Sequence, residues 1–334
     1  MDLSQYLQTG EENQAEPEQQ LSKEEYAALK KQQREEVWGA VDAKAQEVFQ
    51  NGESLKGFLN FMAQCKPQKA ANLLLLYGQN PEIRQVKTFD GWKKEHKTLR
   101  PGVHGYTFIA DQNYEKDGEI RQGYVITRAY DISQIRTKQP EPPEPKPIQM
   151  LLGALLKETE TKVSIAENLP ENVQAQYIPR QRTIFARNGM SEEVTFHAIN
   201  REMACAAMDA HDGTYSRVSV SPQAFCAAYV VAQRYGVENS GFQLDKVCEM
   251  QEYGNKDPQE LRAFIGNVKN AVYTISRHID RNLGQPEQEF TADEFAVAEG
   301  TNGDKRGQET QAPEVPAEKA QKQKGGKAKK QPER

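Results

Sequence analysis

The sequence predicts an α+β fold in which N-terminal helices and a small antiparallel sheet precede a mostly helical domain. Three observations lead to this class. Apolar residues recur at helical spacing in both halves of the chain, two strand-like runs lie between residues 105 and 132, and a proline-rich stretch at 138–147 separates the two patterns. The 334 residues are enough for two domains, since one domain usually contains about 100–200 residues.

The first predicted domain, residues 22–137, begins with three helices. Ser22 followed by Glu25 is a capping box that starts the first of them, a long helix rich in charged residues. A second helix at residues 54–64 has one apolar face, formed by Leu55, Phe58, Leu59 and Met62. A third helix at residues 68–80 ends in a Gly-Gln-Asn-Pro breaker.

Two strand-like runs follow in the same domain, at residues 105–110 and 122–132. Asp117 and Gly118 lie between them, and an Asp-Gly pair is typical of a tight hairpin turn. The sequence therefore predicts an antiparallel hairpin as the centre of the small sheet.

The second predicted domain, residues 148–283, is mostly helical. Its predicted elements are helices at 147–159, 191–210, 221–236 and 258–283 and a small hairpin at 175–187. Ser191 before two glutamates and Ser221 before Pro222 are expected to start the two middle helices.

Both ends of the chain are expected to be disordered. Residues 1–21 are acidic with almost nothing to bury, and residues 284–334 end in a lysine-rich tail that would attract nucleic acid or aid solubility. No apolar run approaches the length of a membrane span, so we expect a cytoplasmic protein without a membrane partner. The four cysteines have no paired spacing and are expected to be reduced, buried thiols.

Positive charge is concentrated between Lys66 and His104, although the chain as a whole has a formal net charge of −5. This segment has eight lysines and arginines against three acidic residues. The cluster suits a groove that follows a phosphate backbone, beside aromatic rings on which bases stack. The aromatic residues available for stacking are Tyr77, Trp92, Tyr106, Tyr124 and Tyr130. The same pattern also fits a solvated face with the tryptophan as a core anchor, and composition alone leaves both interpretations open.

The mixture of lysines and aromatic residues suits a single strand better than a duplex. A duplex offers its phosphates but hides the faces of its bases, whereas an unpaired strand presents both. If this segment binds nucleic acid, a single strand is therefore the expected ligand.

Three motifs follow one another in the first domain: NLLLLYGQNP, FDGWKKEHKTLRPGVHGYTFI and YDISQI. Their order resembles the N-terminal domain of ArdC-type antirestriction proteins and of the related LtrC-like proteins of conjugative elements. The residues that carry the resemblance are Asn72, Gln79, Pro81, Trp92, Lys93, Lys94, Arg100, Gly102, Asp131, Ser133 and Gln134. It covers about residues 50–137 and departs at Pro101, where the family usually has a second basic residue.

The resemblance implies that this domain binds single-stranded DNA without strong sequence preference. The predicted nucleic-acid-binding residues are Asn72, Trp92, Lys93, Lys94, Lys97, Arg100, Tyr106 and Gln134. The lysines and the arginine would hold phosphates, the aromatic residues would support or stack bases, and the amides would add hydrogen bonds. The family context further implies a mobile element whose incoming DNA is protected, with conjugation or mobilisation proteins as candidate partners.

The resemblance also implies that the second domain is similar to a zinc metallopeptidase. That chemistry needs two histidines at i and i+4 on a helix, with a glutamate after the first as general base. If Glu202 is that glutamate, Arg201 and Cys205 stand in place of the histidines. Arginine cannot bind zinc because it stays protonated and has no lone pair. We therefore expect a degenerate domain with no catalytic residue, metal or cofactor.

Two other classes of function stay open. An interaction protein without DNA binding would fit the long charged helix and the proline-rich stretch. A cryptic zinc enzyme would need a site such as Cys205 with His197 and His211, and its activity would depend on Glu202.

Overall fold

The structure, a computed structural model, describes residues 22–116, 119–137, 144–250 and 256–284. The predictions for the acidic N-terminal segment, most of the proline-rich stretch, the Asp117-Gly118 turn and nearly all of the lysine-rich tail concern residues outside these ranges. Within the described residues the fold is α+β, as predicted, with N-terminal helices, an antiparallel sheet and a mostly helical second part. No described helix is both long and apolar enough to cross a bilayer.

The three predicted N-terminal helices are α1 (Lys23–Val48), α2 (Gly52–Gln64) and α3 (Ala70–Gln79). The capping box at the start of α1 is confirmed. The Glu25 N–H donates to the Ser22 hydroxyl over 3.2 Å, and the Ser22 N–H donates to the Glu25 carboxylate over 2.8 Å. The predicted apolar face of α2 is buried in the core.

The first sheet contains β1 (Val86–Thr88), β2 (Tyr106–Lys116) and β3 (Glu119–Asp131) in the order β1-β3-β2, with both pairs antiparallel. β2 and β3 form the predicted hairpin, in a register that pairs Tyr106 with Ala129. A short helix, α4 (Phe89–Lys94), follows β1. The sequence analysis missed β1 and α4 because three and six residues are too few to show a period.

Helix α3 covers the outer edge of β2 through two side-chain amides. Asn72 donates to the Ile109 carbonyl and accepts from the Ile109 N–H, both over 2.9 Å. Gln79 makes the same pair of bonds with the Thr107 carbonyl (2.9 Å) and N–H (2.7 Å). Because residues 107 and 109 direct their backbone groups away from β3, these amides satisfy a strand edge that would otherwise be unpaired.

The second part contains α5 (Ile148–Leu156), β4 (Lys162–Ile165), β5 (Ala175–Ile178), β6 (Thr183–Ala186), α6 (Glu192–Ala207), α7 (Arg217–Tyr235), α8 (Asp245–Glu249) and α9 (Pro258–Asn282). The predicted hairpin is β5 and β6, and Ser191 caps α6 as expected. The sequence analysis missed β4, which lies parallel to β6, and α8.

Helix α7 begins at Arg217, so the prediction that Ser221 starts it was wrong. Ser216 is the N-cap residue, and Pro222 lies inside the helix. The extra turn is stabilised by a contact that sequence does not show, since the Arg217 guanidinium pairs with Glu202 of α6. Pro222 is the sixth residue of α7 and has no N–H to donate to the Val218 carbonyl, so the helix lacks one backbone hydrogen bond there.

One hydrophobic core runs through both parts of the chain. Helix α2 packs against α7, and α1 packs against α9. Polar contacts join the same elements, since the Tyr229 hydroxyl donates to Asn60 over 2.7 Å and the Gly52 N–H donates to Asp245 over 2.9 Å. The predicted domain boundary at residues 138–147 stays a prediction, but the helices on its two sides share their core.

Candidate nucleic-acid interface

Trp92 is fully buried beneath the basic segment. Its indole N–H donates to the Tyr130 carbonyl over 2.7 Å, and its ring packs with Ile132 and Ile135. With an exposure of 0%, the ring has no face on which a base could stack, so that part of the prediction was wrong. Helix α4 has two large apolar residues, Phe89 and Trp92. Because Phe89 points outward, Trp92 is the one that anchors α4 to the core.

Two lysines cover the Trp92 ring. The Lys97 ammonium lies 4.9 Å from the ring centroid, and the Lys87 ammonium lies 5.7 Å from it. Both also form an ion pair with Glu95, which for Lys97 measures 2.9 Å. Because a tryptophan face attracts a cation, the buried ring positions these ammonium groups at the surface.

The end of α4 turns the chain so that Lys97 returns over the ring. The Lys97 N–H donates to the Trp92 carbonyl and the His96 N–H donates to the Lys93 carbonyl, each over 3.0 Å. This pair of bonds is a Schellman motif. His96 occupies the left-handed position, with φ of 56°, where glycine is the usual residue.

Lys66 adds a third ammonium to this group. Although Lys66 reaches solvent, the packing around its ammonium and the positive charges of Lys87 and Lys97 lower its pKa, and Arg234 of α7 contributes in the same direction. Hydrogen bonds from Lys87 and Lys97 lower the pKa of Glu95. We call Lys66, Lys87 and Lys97, with the one carboxylate of Glu95, the basic cluster. Its surplus of positive charge favours an anion.

The last turn of α4 presents two more lysines. Lys93 and Lys94 are exposed, and neither forms an ion pair with any described residue. Arg100 is also exposed; its backbone N–H donates to the Gln134 carbonyl over 2.9 Å, and its Nε donates to the Ile135 carbonyl over 3.2 Å. These contacts hold the arginine stem in place and leave its terminal N–H groups for a ligand.

The predicted amide contacts are largely structural. Asn72 is buried with its amide bonded to the β2 backbone, so the prediction that it contacts DNA was wrong. Gln134 uses both ends of its amide within the protein, accepting from the Asp131 N–H over 2.9 Å and donating to the His104 carbonyl over 2.8 Å. A DNA contact by Gln134 stays a prediction.

Tyr106 is half-buried and packs against the core, where its hydroxyl accepts a hydrogen bond from Asn80 over 2.9 Å. Its contact with a base also stays a prediction. Phe89, by contrast, is 55% exposed on α4 and was not among the predicted site residues.

The sequence analysis missed other residues of this surface. Lys66 and Lys87 were counted in the charged segment but not assigned to the site, and Arg136 lies beyond that segment. Arg136 is exposed, and its backbone N–H donates to the Thr98 carbonyl over 2.8 Å. Counting charge over the whole first domain would have found Arg136. No sequence pattern predicted that Phe89 is exposed, because that depends on the position of α4.

In the second part, Glu202 is fully buried and bound to a cation. Its two carboxylate oxygens each accept a 2.7 Å hydrogen bond from the Arg217 guanidinium, and one of them also accepts from the Tyr177 N–H over 2.7 Å. Arg201 approaches the same carboxylate at 3.5 Å. These bonds raise the pKa of Arg217 and occupy the carboxylate that the resemblance assigned as a general base.

The three residues of the alternative zinc site have separate partners. The His197 Nε2 lies 2.8 Å from the Glu238 carbonyl, and His211 pairs with Asp209 at 3.2 Å. Cys205 is buried, and burial together with the charge of Glu202 raises its pKa to about 11. Across the described ranges, no group of three or more His, Cys, Asp or Glu side chains is placed to hold a metal ion.

Comparison with known proteins gives one family match. Residues 30–149 match the family model described as the N-terminal domain of anti-restriction factor ArdC. The match covers less than half of the chain and ends where α5 begins.

Two similar solved structures are of the antirestriction ArdC protein from the R388 plasmid. The metal-free structure has 11% identity and a TM-score of 0.41, and the alignment covers 65% of this chain and 86% of that chain. The Mn(II)-bound structure has 12% identity and a TM-score of 0.40, with 65% and 85% covered. No curated protein matches the chain.

Proposed function

We propose that the ArdC-type N-terminal domain formed by residues 30–149 binds single-stranded DNA without strong sequence preference. In this proposal the basic cluster and the exposed Lys93, Lys94 and Arg100 hold phosphates. The chain would then serve a mobile element as an antirestriction-type protein that covers incoming DNA. The name of the matched family supports the second half of this proposal, and the chemistry of the surface supports the first.

The observation that carries the proposal is the arrangement of charge around Trp92. Three ammonium groups share the single carboxylate of Glu95, and a half-buried or crowded lysine is stabilised when a phosphate approaches. Lys93 and Lys94 extend this surface without described acidic partners. Surfaces that bind nucleic-acid backbones have this composition.

The test is fluorescence anisotropy of a labelled strand of about 20 nucleotides, long enough for several phosphate contacts, titrated with the full chain at several salt concentrations. The full chain is required because α2 packs against α7 and the shared core would be opened by truncation. We expect the single strand to bind more tightly than the matched duplex, with similar affinity for oligothymidine and for a mixed sequence.

The variant Lys93→Ala/Lys94→Ala should weaken binding about tenfold at low salt and reduce the slope of log affinity against log salt by about 1.4, or about 0.7 for each phosphate that is no longer neutralised. Lys157→Ala/Lys162→Ala is the matched control, since it removes the same charge from exposed positions in the second part. Equal losses of affinity in both variants, or no binding by the wild type at low salt, would contradict the proposal.

We further propose that the helical second part has no peptidase activity at Glu202 and instead packs against the DNA-binding half. The bidentate contact with Arg217 supports this proposal, because a general base needs a free lone pair next to its substrate. The alternative is an interaction protein without DNA binding, which would contact its partner through the exposed N-terminal turns of α1. Absence of DNA binding in the same titration would favour this alternative.

A further inference from the structure

We propose that Phe89 is the aromatic platform on which a base of the single strand stacks. The inference rests on the proposed single-stranded-DNA binding and assigns a residue that the sequence motifs did not. It also gives the tryptophan of this segment a different role, which is to position the lysines while a neighbouring ring receives the base.

The Phe89 ring is exposed to solvent. Phe89 is 55% exposed, whereas Trp92, three residues later on the same helix, is 0% exposed. The two rings are neighbours three residues apart on α4, yet Trp92 lies in the core while Phe89, at the first position of the helix, stays at the surface. An exposed phenylalanine has no hydrogen-bonding group to satisfy and gains nothing from water, and stacking removes its apolar face from solvent.

Three other aromatic candidates of the first domain, Tyr124, Tyr106 and Tyr77, already have partners within the protein. The Tyr124 hydroxyl accepts a 3.0 Å hydrogen bond from Trp38, and the two rings form an edge contact with centroids 6.0 Å apart. Tyr106 bonds Asn80, and Tyr77 packs against Phe58 with centroids 5.4 Å apart. Among these rings and Trp92, Phe89 is the most exposed.

A lysine lies next to the Phe89 ring on α4. Phe89 and Lys93 are four residues apart on α4, so their side chains are neighbours on one face of the helix. Lys94 is four residues after Asp90, whereas Lys93 is four residues after the ring itself, so Lys93 is the lysine placed beside the ring. A nucleotide could then stack its base on Phe89 and place its phosphate at Lys93. Single-strand-binding proteins combine these two contacts.

The backbone at the N-terminus of α4 is fixed on both sides of Phe89. Thr88 is the N-cap residue and its hydroxyl accepts from the Gly91 N–H over 3.2 Å. Thr88 also pairs with Ala129 in the sheet, so the residue directly before Phe89 is fixed by β3. The strand and the cap fix the backbone of Phe89, so binding has to order only its side chain.

The test compares Phe89 variants of the full chain in the same anisotropy titration. Phe89→Ala and Phe89→Leu should each weaken single-strand binding about tenfold, within the range measured for loss of one stacked base, and Phe89→Trp should restore it. Duplex binding, the salt slope and the thermal midpoint should not change, since the side chain is exposed and uncharged. Tyr26→Ala removes a similarly exposed ring, 54% exposed, from α1 and should leave affinity unchanged.

Ultraviolet crosslinking to oligothymidine gives a second readout. We expect the crosslink at Phe89, and we expect its loss in Phe89→Leu. If the wild type binds and the Lys93→Ala/Lys94→Ala variant is weakened while Phe89→Ala is not, the platform is overturned and the DNA-binding proposal stands. Affinity retained in Phe89→Leu but lost in Phe89→Ala would also overturn it, because apolar contact without stacking would then suffice. Absence of wild-type binding would remove both proposals.

Discussion

Glu202 is a buried carboxylate whose charge is balanced inside the protein. It lies on α6 between Arg201 and Cys205 in the buried face of that helix. The carboxylate is buried and held by Arg217 from the next helix. A carboxylate so enclosed contributes to stability because each of its oxygens has a charged donor.

The substitution Glu202→Gln tests this structural role. It leaves Arg217 beside a neutral amide that can accept one of its two bonds, and we expect the free energy of unfolding to fall by about 3 kcal/mol, since breaking one side of a buried ion pair is costly. Urea denaturation followed by circular dichroism measures it. Glu193→Gln, exposed on the same helix, is the control and should be neutral. Unchanged stability in Glu202→Gln would contradict the structural role.

At the same scale, sequence identified the basic residues but not their surroundings. Lys93, Lys94 and Arg100 are exposed, as their types suggest. The lysines that follow Trp92 favoured a surface position for it, yet burial of one ring on α4 depends on the sheet beneath, and that contact is not local. The left-handed His96 likewise could not be predicted, since glycine is the usual signal for such a turn.

At the scale of elements, the contact of α3 with β2 decides how the hairpin is held. The Asn72 amide is bonded to both backbone groups of Ile109 in a buried position, whereas the Gln79 amide makes the equivalent pair with Thr107 nearer to solvent. The two residues are two helical turns apart on α3, so they meet alternate residues of one strand edge.

The substitution Asn72→Ala should destabilise the fold by about 2–3 kcal/mol, because it leaves a buried N–H and a buried carbonyl without partners. Gln79→Ala should cost less, since water can replace the missing bonds at that more exposed end. Chemical denaturation of both variants provides the comparison. DNA affinity measured well below the unfolding transition should be unchanged in Asn72→Ala, and a selective loss of affinity would contradict a purely structural role for Asn72.

Most long elements were predicted, and several short ones were missed. The capping box of α1 and the apolar face of α2 gave clear local signals, and both are present. Elements β1, α4 and β4 contain three to six residues and depend on partners distant in sequence. The start of α7 was misplaced because the pairing of Arg217 with α6 outweighs the local preference for proline in a first turn.

At the scale of the whole molecule, buried thiols make the free energy of unfolding fall at alkaline pH. Cys65 and Cys205 are each about 1% exposed. Burial and the nearby Asp131 charge raise the pKa of Cys65 to about 12, and burial with the Glu202 charge raises that of Cys205 to about 11. Since the folded values lie above the value of 9.0 for a free thiol, this stability is complete below pH 9 and is lost as pH rises through 9 towards 11–12.

We therefore expect the urea concentration at half-unfolding to be lower at about pH 10 than at about pH 8. The decrease should be equivalent to about 1 kcal/mol for each buried thiol. The double variant Cys65→Ala/Cys205→Ala should be less stable at the lower pH, because it leaves small cavities, but its stability should fall less between the two pH values. An equal fall in variant and wild type would assign the effect to other groups, such as the buried tyrosines.

The core that α2 shares with α7 has a consequence for inheritance. The family match ends at residue 149, so a segment moved between genes at that boundary would lose α7, and the face of α2 that packs against α7 would be uncovered. Any recombination that moves it must also carry a surface equivalent to α7, or the recombinant chain would aggregate through that apolar face. The shared packing therefore favours inheritance of the two halves together, whatever each of them binds.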